Sequence, residues 1–79
     1  MNQNKIKIKL DTAEKIKRFI NVARSFMSNI DIMTDRVCID GKSILGIYAL
    51  DLSKDVYVRI ISDNVTENRK FDAVMEEFR

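Results

Sequence analysis

Few residues of this 79-residue chain are of the types that perform catalysis or hold metal ions. The chain contains no histidine and a single cysteine, Cys38, which alternates with Val37 and Ile39. A cysteine without a base or a second cysteine nearby in sequence favours an inert thiol over a nucleophile. The aspartates do not follow the spacing of a metal-binding loop; they are Asp31, Asp35, Asp40, Asp51, Asp55 and Asp63. We therefore predict neither an enzyme nor a bound metal or cofactor.

The composition argues against several other classes of protein. The 14 basic and 12 acidic residues leave a net charge of +2, a balance that does not favour nucleic-acid binding. Residues 1–10 lack the long apolar run of a signal peptide or a membrane span. The length and the 46% of apolar residues predict one domain over residues 1–79. We expect this domain to reside in the reducing cytoplasm.

The first third of the chain predicts a strand and an amphipathic helix. Ile6, Ile8 and Leu10 alternate with lysines, which is typical of a half-buried strand with a protected outer face or edge. Asp11, with Glu14 three residues later, is suited to cap a helix of about four turns. The apolar stripe of this helix comprises Ile16, Phe19, Ile20, Ala23 and Met27, and it is widened by Val22 and Phe26.

The middle of the chain predicts a hairpin followed by a short helix. Residues 30–40 contain two short alternating runs separated by residues 34–36. Residues 40–42 interrupt the second strand, and the Ser43 hydroxyl is suited to cap the short helix that follows. Gly46 within this helix indicates either close packing or the close approach of a partner.

The last third predicts a strand and a final helix. Val56, Val58 and Ile60 alternate with Tyr57, Arg59 and Ile61, as in a strand. Asn64 and Glu67 have the spacing of a capping box. The buried face of the final helix comprises Phe71, Val74, Met75 and Phe78. The whole order is βαββαβα, which predicts an α+β fold: an open-faced sandwich of a four-stranded antiparallel sheet with three helices on one face.

Residues 42–50, Lys-Ser-Ile-Leu-Gly-Ile-Tyr-Ala-Leu, carry a specific resemblance. The segment resembles the Lys-Ser-Ile-Met-Gly-Val-Met-Ser-Leu pattern around the regulatory serine of HPr, the small phosphocarrier protein of the bacterial sugar phosphotransferase system. Tyr48 and Ala49 depart from that pattern. The predicted order of elements, at this length, is also that of HPr. The resemblance therefore implies an HPr-like fold over nearly the whole chain.

The second signature of HPr is missing from this chain. The family places Gly-Leu-His-Ala-Arg-Pro, or a close variant, between the first strand and the first helix, and its histidine carries the phosphoryl group. Here Thr12 lies near the place of the histidine and Glu14 near that of the arginine. Threonine is a poor nucleophile without a base, and glutamate repels phosphate. We therefore predict that the chain does not relay phosphate as HPr does.

The resemblance also implies candidate site residues, each with a purely structural alternative. Ser43 is a candidate for regulatory phosphorylation by an HPr kinase as well as a helix cap. The short helix suggests partner-binding residues Ile44, Leu45, Ile47 and Tyr48, which could instead pack on the sheet. Basic residues of the first helix suggest docking of acidic partners, or else a solvated face; they are Lys17, Arg18 and Arg24.

Two functions remain open from the sequence. The first is a regulatory protein-binding module that engages HPr kinase, a transcription regulator or phosphotransferase-system proteins. The second is a stand-alone structural or interaction domain that has inherited the fold without a role in the phosphotransferase system. In either case we expect a protein partner, without nucleic acid or membrane, and a monomer or a weak dimer through an exposed strand edge.

Overall fold

The predicted order of four strands and three helices is confirmed in the computed structural model, which describes residues 4–79. Residues 1–3 lie outside this range. They belong to the segment 1–10, which we predicted to be neither a signal peptide nor a membrane span. The strands are β1 (Ile6–Ile8), β2 (Asn29–Met33), β3 (Cys38–Asp40) and β4 (Val56–Ile61). The helices are α1 (Ala13–Arg24), α2 (Ile44–Tyr48) and α3 (Val65–Met75), and a 3₁₀ turn (Glu76–Phe78) follows α3.

The strands form one antiparallel sheet in the order β1-β4-β2-β3. Val58 of the inner strand β4 lies opposite Ile6 of β1 on one side and Ile32 of β2 on the other. Alternate residues of β4, beginning with Val56, are buried, as the period of two predicts. All three helices add apolar side chains to the core on this face of the sheet. The predicted open-faced sandwich is therefore confirmed.

The start of α1 differs from the prediction by one residue. Thr12, not Asp11, is the N-cap, because Thr12 has an extended backbone and its Oγ1 accepts a hydrogen bond from the Lys15 N–H at 3.1 Å. Asp11 lies one residue too early to reach that donor. Its carboxylate instead pairs with the Lys15 ammonium at 3.0 Å.

The end of α1 also differs, and this changes the position of Met27. The helix ends at Arg24, and Ser25 caps it while its Oγ donates to the Val22 carbonyl at 2.6 Å. The helical spacing therefore does not extend to Met27. The prediction that Met27 belongs to the buried stripe is wrong, since its side chain is 94% exposed. Phe26 remains buried although it lies beyond the helix.

Helices α1 and α3 are held side by side by aromatic contacts at two points. The rings of Phe19 and Phe78 meet edge to face with centroids 5.7 Å apart, and those of Phe26 and Phe71 have the same separation. The segment just after α1 therefore lies beside the second half of α3, and the middle of α1 lies beside the 3₁₀ turn. Phe78 is buried as predicted, although it belongs to that turn rather than to the helix.

The capping box predicted for α3 is only partly formed. Asn64 Oδ1 accepts a hydrogen bond from the Glu67 N–H at 3.0 Å, as predicted. The Asn64 N–H, however, donates to Ser62 Oγ and not to the Glu67 carboxylate. That carboxylate contacts the chain after α1 instead, and this contact contributes to the site described below.

Candidate partner-binding site

Ser43 lies at a tight connection between β3 and α2. Its N–H donates to the Asp40 carbonyl at 3.1 Å, and the Lys42 N–H donates to Asp40 Oδ1 at 2.9 Å. Its Oγ accepts a hydrogen bond from the Gly46 N–H at 3.2 Å, so the predicted N-cap is present. The Ser43 side chain is half-buried. The hydroxyl proton is not committed by this contact, because Oγ acts as the acceptor.

The solvent face of α2 is apolar. Leu45 is 82% exposed, and Ile44 and Tyr48 are exposed beside it on the same short helix. Residues 43–50 contain no charged side chain, in a chain of which 33% is charged. A contiguous apolar surface of this kind is typical of protein-binding sites.

Ile47 does not belong to this exposed set. Its side chain is fully buried in the core, so its predicted role as a partner contact is corrected to one of packing. Gly46 also points inwards: a Cβ at this position would lie 2.9 Å from Ile39 Cδ1 of β3. Of the two explanations for this glycine, the structure supports close packing of α2 on β3. The buried side of α2 thus fixes the direction in which the exposed residues project.

The N-terminus of α1 is where the resemblance to HPr would place the phosphorylated histidine. Thr12 is exposed, and its hydroxyl oxygen is used as the helix cap. Glu14 stands in the first turn, and the carboxylate of Asp11 precedes the cap. The hydrogen bond and the charge of Lys15 lower the pKa of Asp11 and so favour its charged form. Two carboxylates at this helix end disfavour the approach of a phosphoryl group.

The basic residues of α1 differ in their surroundings. The Arg18 guanidinium forms an ion pair with Glu77 of the 3₁₀ turn, and this hydrogen bond raises the pKa of Arg18. Lys17 and Arg24 are exposed and form no ion pair within residues 4–79. Of the three candidates, Lys17 and Arg24 therefore have their full charge available to a partner.

Three long-range side chains hold residues 25–28, and the sequence reasoning missed all of them. Lys42 Nζ donates to the Phe26 carbonyl at 2.7 Å. Lys70 Nζ lies 3.5 Å from the Ser25 carbonyl and 4.5 Å from the centroid of the Phe26 ring. The Glu67 carboxylate accepts from the N–H groups of Met27 and Ser28 and from the Ser28 hydroxyl, at 3.0–3.1 Å.

These hydrogen bonds determine the ionisation of Glu67. Partial burial raises the pKa of the carboxyl group, but the hydrogen bonds from Ser28 and Met27 outweigh this effect and hold the pKa below its ordinary value of 4.5.

The sequence gives only a weak indication that α1 ends before residues 25–28. This indication is the presence of the weak helix-forming residues Ser25, Ser28 and Asn29.

Within residues 4–79, no helix is both long and apolar enough to cross a membrane. The same residues contain no group of three or more histidine, cysteine, aspartate or glutamate side chains arranged to hold a metal ion. Cys38 is exposed near the edge of the sheet and is a free thiol.

Comparison with known proteins identifies the family. A family model described as "PTS HPr component phosphorylation site" matches residues 4–79. The crystal structure of HPr-C-His from Thermoanaerobacter tengcongensis matches with a TM-score of 0.72 at 26% identity, over 98% of this chain and 93% of that one. The phosphocarrier protein HPr from Bacillus anthracis str. Ames shares the fold, with a TM-score of 0.74 at 19% identity, over 99% and 96% of the two chains. No curated protein sequence matches the chain. Since the family model spans nearly the whole sequence, the chain belongs to the HPr family of the phosphotransferase system.

Proposed function

We propose that this member of the HPr family is a regulatory protein-binding module that does not relay phosphate through histidine. The observation that supports this function best is the solvent face of α2. Ile44, Leu45 and Tyr48 are exposed there beside Ser43, and no charged side chain lies within residues 43–50. Burial of apolar surface is the main source of affinity in protein association, and tyrosine is frequent among the residues that contribute most.

The loss of the relay follows from the chemistry at the start of α1. A phosphocarrier of this family needs an imidazole nitrogen, and the chain has no histidine. Thr12 occupies that region without a neighbouring base, and its oxygen already accepts the Lys15 N–H. Asp11 and Glu14 add negative charge where a phosphoryl donor would approach. A transfer of phosphate to this helix end is disfavoured both by the nucleophile and by the electrostatics.

Ser43 is the proposed regulatory site within this module. Lys42, Ser43, Ile44, Gly46 and Leu50 match the family pattern around the regulatory serine. A phosphate on Ser43 would add a charge of about −1.5 to −2 at the border of the apolar surface. An apolar partner surface would then have to desolvate that charge, whereas a partner with a suitably placed arginine would bind it. Phosphorylation would thus select among partners.

The partners in this proposal are proteins: an HPr kinase, a transcription regulator or other phosphotransferase-system proteins. Lys17 and Arg24 on α1 would attract an acidic partner and raise its association rate. Arg18 would contribute less, because Glu77 neutralises its charge. The corresponding prediction is that association slows with added salt, as expected for steering by exposed charges.

The direct test of the regulatory site is phosphorylation by a purified HPr kinase with ATP, measured by intact-mass analysis. We expect one phosphoryl group on the unaltered protein and none on Ser43→Ala. Ser53, in the loop after α2, is the next serine along the chain. Ser53→Ala therefore serves as the matched control and should be phosphorylated like the unaltered protein. Absence of phosphate on the unaltered protein would contradict the regulatory role of Ser43.

A stand-alone interaction domain is the second candidate. The observation that favours it is that the Ser43 oxygen caps α2. This structural role is enough to explain a serine at this position without phosphorylation. Ser43→Asp separates the two candidates, because aspartate also caps helices well but adds a charge. A regulatory module predicts that Ser43→Asp changes binding to its partner, whereas an interaction domain of the second kind predicts unchanged binding and no modification by the kinase.

A further inference from the structure

The exposed apolar side chains of this protein are concentrated along one line. Within residues 4–79, six large apolar residues are exposed, and five of them lie on α2 or on the two segments that flank it. These five form what we call the apolar band: Met27, Val37, Ile44, Leu45 and Tyr48. We propose that the apolar band, and not α2 alone, binds a partner segment that is apolar along its length and acidic at the end that meets Met27. This inference rests on the proposed function and extends its binding surface.

Two hydrogen bonds bring the segment that carries Met27 close to the start of α2. The Ile30 carbonyl accepts from the Gly41 N–H at 2.7 Å, so the residues before β2 run beside those that follow β3. The ammonium of Lys42, the residue before Ser43, reaches the Phe26 carbonyl at 2.7 Å. The segment that carries Met27 therefore lies near the start of α2, although 16 positions separate Phe26 from Lys42.

Val37 marks the other end of the apolar band. It lies in the turn that leads into β3, where its carbonyl accepts from the Thr34 N–H at 2.8 Å. A depression beside it is lined by both Val37 and Ala49, which follows the last residue of α2. Because α2 packs back along β3, Val37 continues the exposed line beyond Tyr48.

Met27 is exposed on a segment whose backbone is hydrogen-bonded to side chains from elsewhere in the chain. Lys42, which precedes α2, and Lys70 and Glu67, which both belong to α3, contact the backbone of residues 25–28 from two distant parts of the chain. A backbone that is already held by such hydrogen bonds needs little further ordering when a partner covers Met27, which favours a binding role.

The charged side chains near the apolar band differ between its two ends. Lys42 and Lys70 bind the backbone carbonyls of the two residues before Met27, Arg24 lies three residues before it, and the Glu67 carboxylate in this region is occupied by three hydrogen bonds. The depression at the Val37 end is instead lined by charges of both signs, which are Asp35, Arg36, Asp51 and Lys54. Charge complementarity therefore selects a partner with carboxylates at the Met27 end.

A displayed library of random 16-residue peptides, selected on the purified protein, is the probe that tests this inference. We expect the selected peptides to contain apolar residues with aspartate or glutamate clustered at one end. For a synthetic copy of the best peptide, Met27→Ser should raise the Kd about fivefold or more, as for an interface anchor. Arg24→Ala should raise it less and should reduce its dependence on salt. Val65→Ser, which alters the exposed apolar residue outside the apolar band, should leave it unchanged.

The variant Leu45→Ser makes failure of the inference distinguishable from failure of the proposed function. Loss of peptide binding in Leu45→Ser but not in Met27→Ser would overturn the extended band and leave α2 as the partner site. Unchanged binding in both variants, or selection of no peptide, would overturn the band and also count against α2 as the partner site. All of the altered side chains are exposed, so circular dichroism should show an unchanged fold in each variant.

Discussion

The assignment of Ile47 to the core leads to a quantitative prediction for Ile47→Ala. The substitution removes three carbon atoms from a side chain that is fully buried. At about 0.8 kcal/mol per buried methylene, the lost transfer free energy is about 2.4 kcal/mol. The unfilled cavity adds to this cost, and measured values for such changes are about 2–5 kcal/mol. We therefore expect the free energy of unfolding to fall by about 3 kcal/mol.

Urea denaturation followed by far-ultraviolet circular dichroism measures this change without a tryptophan signal, which the chain lacks. With a slope of about 1 kcal/mol per molar urea for a small protein, the midpoint should fall by about 3 M while the slope stays constant. The melting temperature should fall by about 10 °C or more. Since a chain of this length is stable by only about 4–12 kcal/mol, the variant should be folded in the cold but marginal on warming.

Leu45→Ala is the matched control, because it shortens an aliphatic side chain on the same helix that is 82% exposed. We expect it to change stability by less than about 0.5 kcal/mol. A loss below about 1 kcal/mol in Ile47→Ala, or equal losses in the two variants, would refute the division of α2 into a buried and an exposed side. The proposed binding surface would then have to be redrawn.

Three further predictions follow from the local structure. Thr12→Ala removes the cap of α1 and should lower the free energy of unfolding by about 1 kcal/mol in urea denaturation; an unchanged midpoint would argue against the cap. The pKa of Glu67 is lower in the folded state than in the unfolded chain, so the ionised Glu67 carboxylate stabilises the fold. This stabilisation of the fold is present above pH 4.5 and is lost as the pH falls through the folded-state pKa. Glu67→Gln should weaken this acid dependence, and an identical pH profile would contradict the assignment. Gly41→Ala should destabilise by about 1–3 kcal/mol, because its Cβ would lie 3.1 Å from the carbonyl oxygen of Ile30, which cannot move freely. Gly46→Ala should cost less, since the closest atom is the end of a flexible side chain, and a larger loss than in Gly41→Ala would refute this ranking.

The strands and helices with a regular apolar spacing could be predicted from the sequence, because that spacing follows the face of the element that is buried. The alternation of Val56, Val58 and Ile60 identified β4, and the stripe through Ile16, Phe19 and Ile20 identified α1. Errors arose where the period was extended past the end of an element. Met27 fits the helical spacing in sequence, but the helix has already ended at Arg24, so the spacing no longer describes its direction.

The surroundings of the candidate site were less predictable, because they depend on contacts between distant segments. Glu67 has the spacing of a capping residue, yet its carboxylate binds the backbone of Met27 and Ser28, 40 and 39 positions away. The burial of Ile47 and the exposure of Leu45 likewise depend on how α2 rests on β3. Ser43 was identified correctly as a cap because that contact is local.

The central claim is that an HPr-family fold is present here without the histidine phosphorelay. The most direct test is incubation with enzyme I and phosphoenolpyruvate, followed by intact-mass analysis at neutral pH so that acid-labile phosphate is retained. The phosphocarrier protein HPr from Bacillus anthracis serves as the positive control. We predict a mass gain of one phosphoryl group for the control and an unchanged mass for this protein. A phosphoryl group transferred to this chain by enzyme I would contradict the claim.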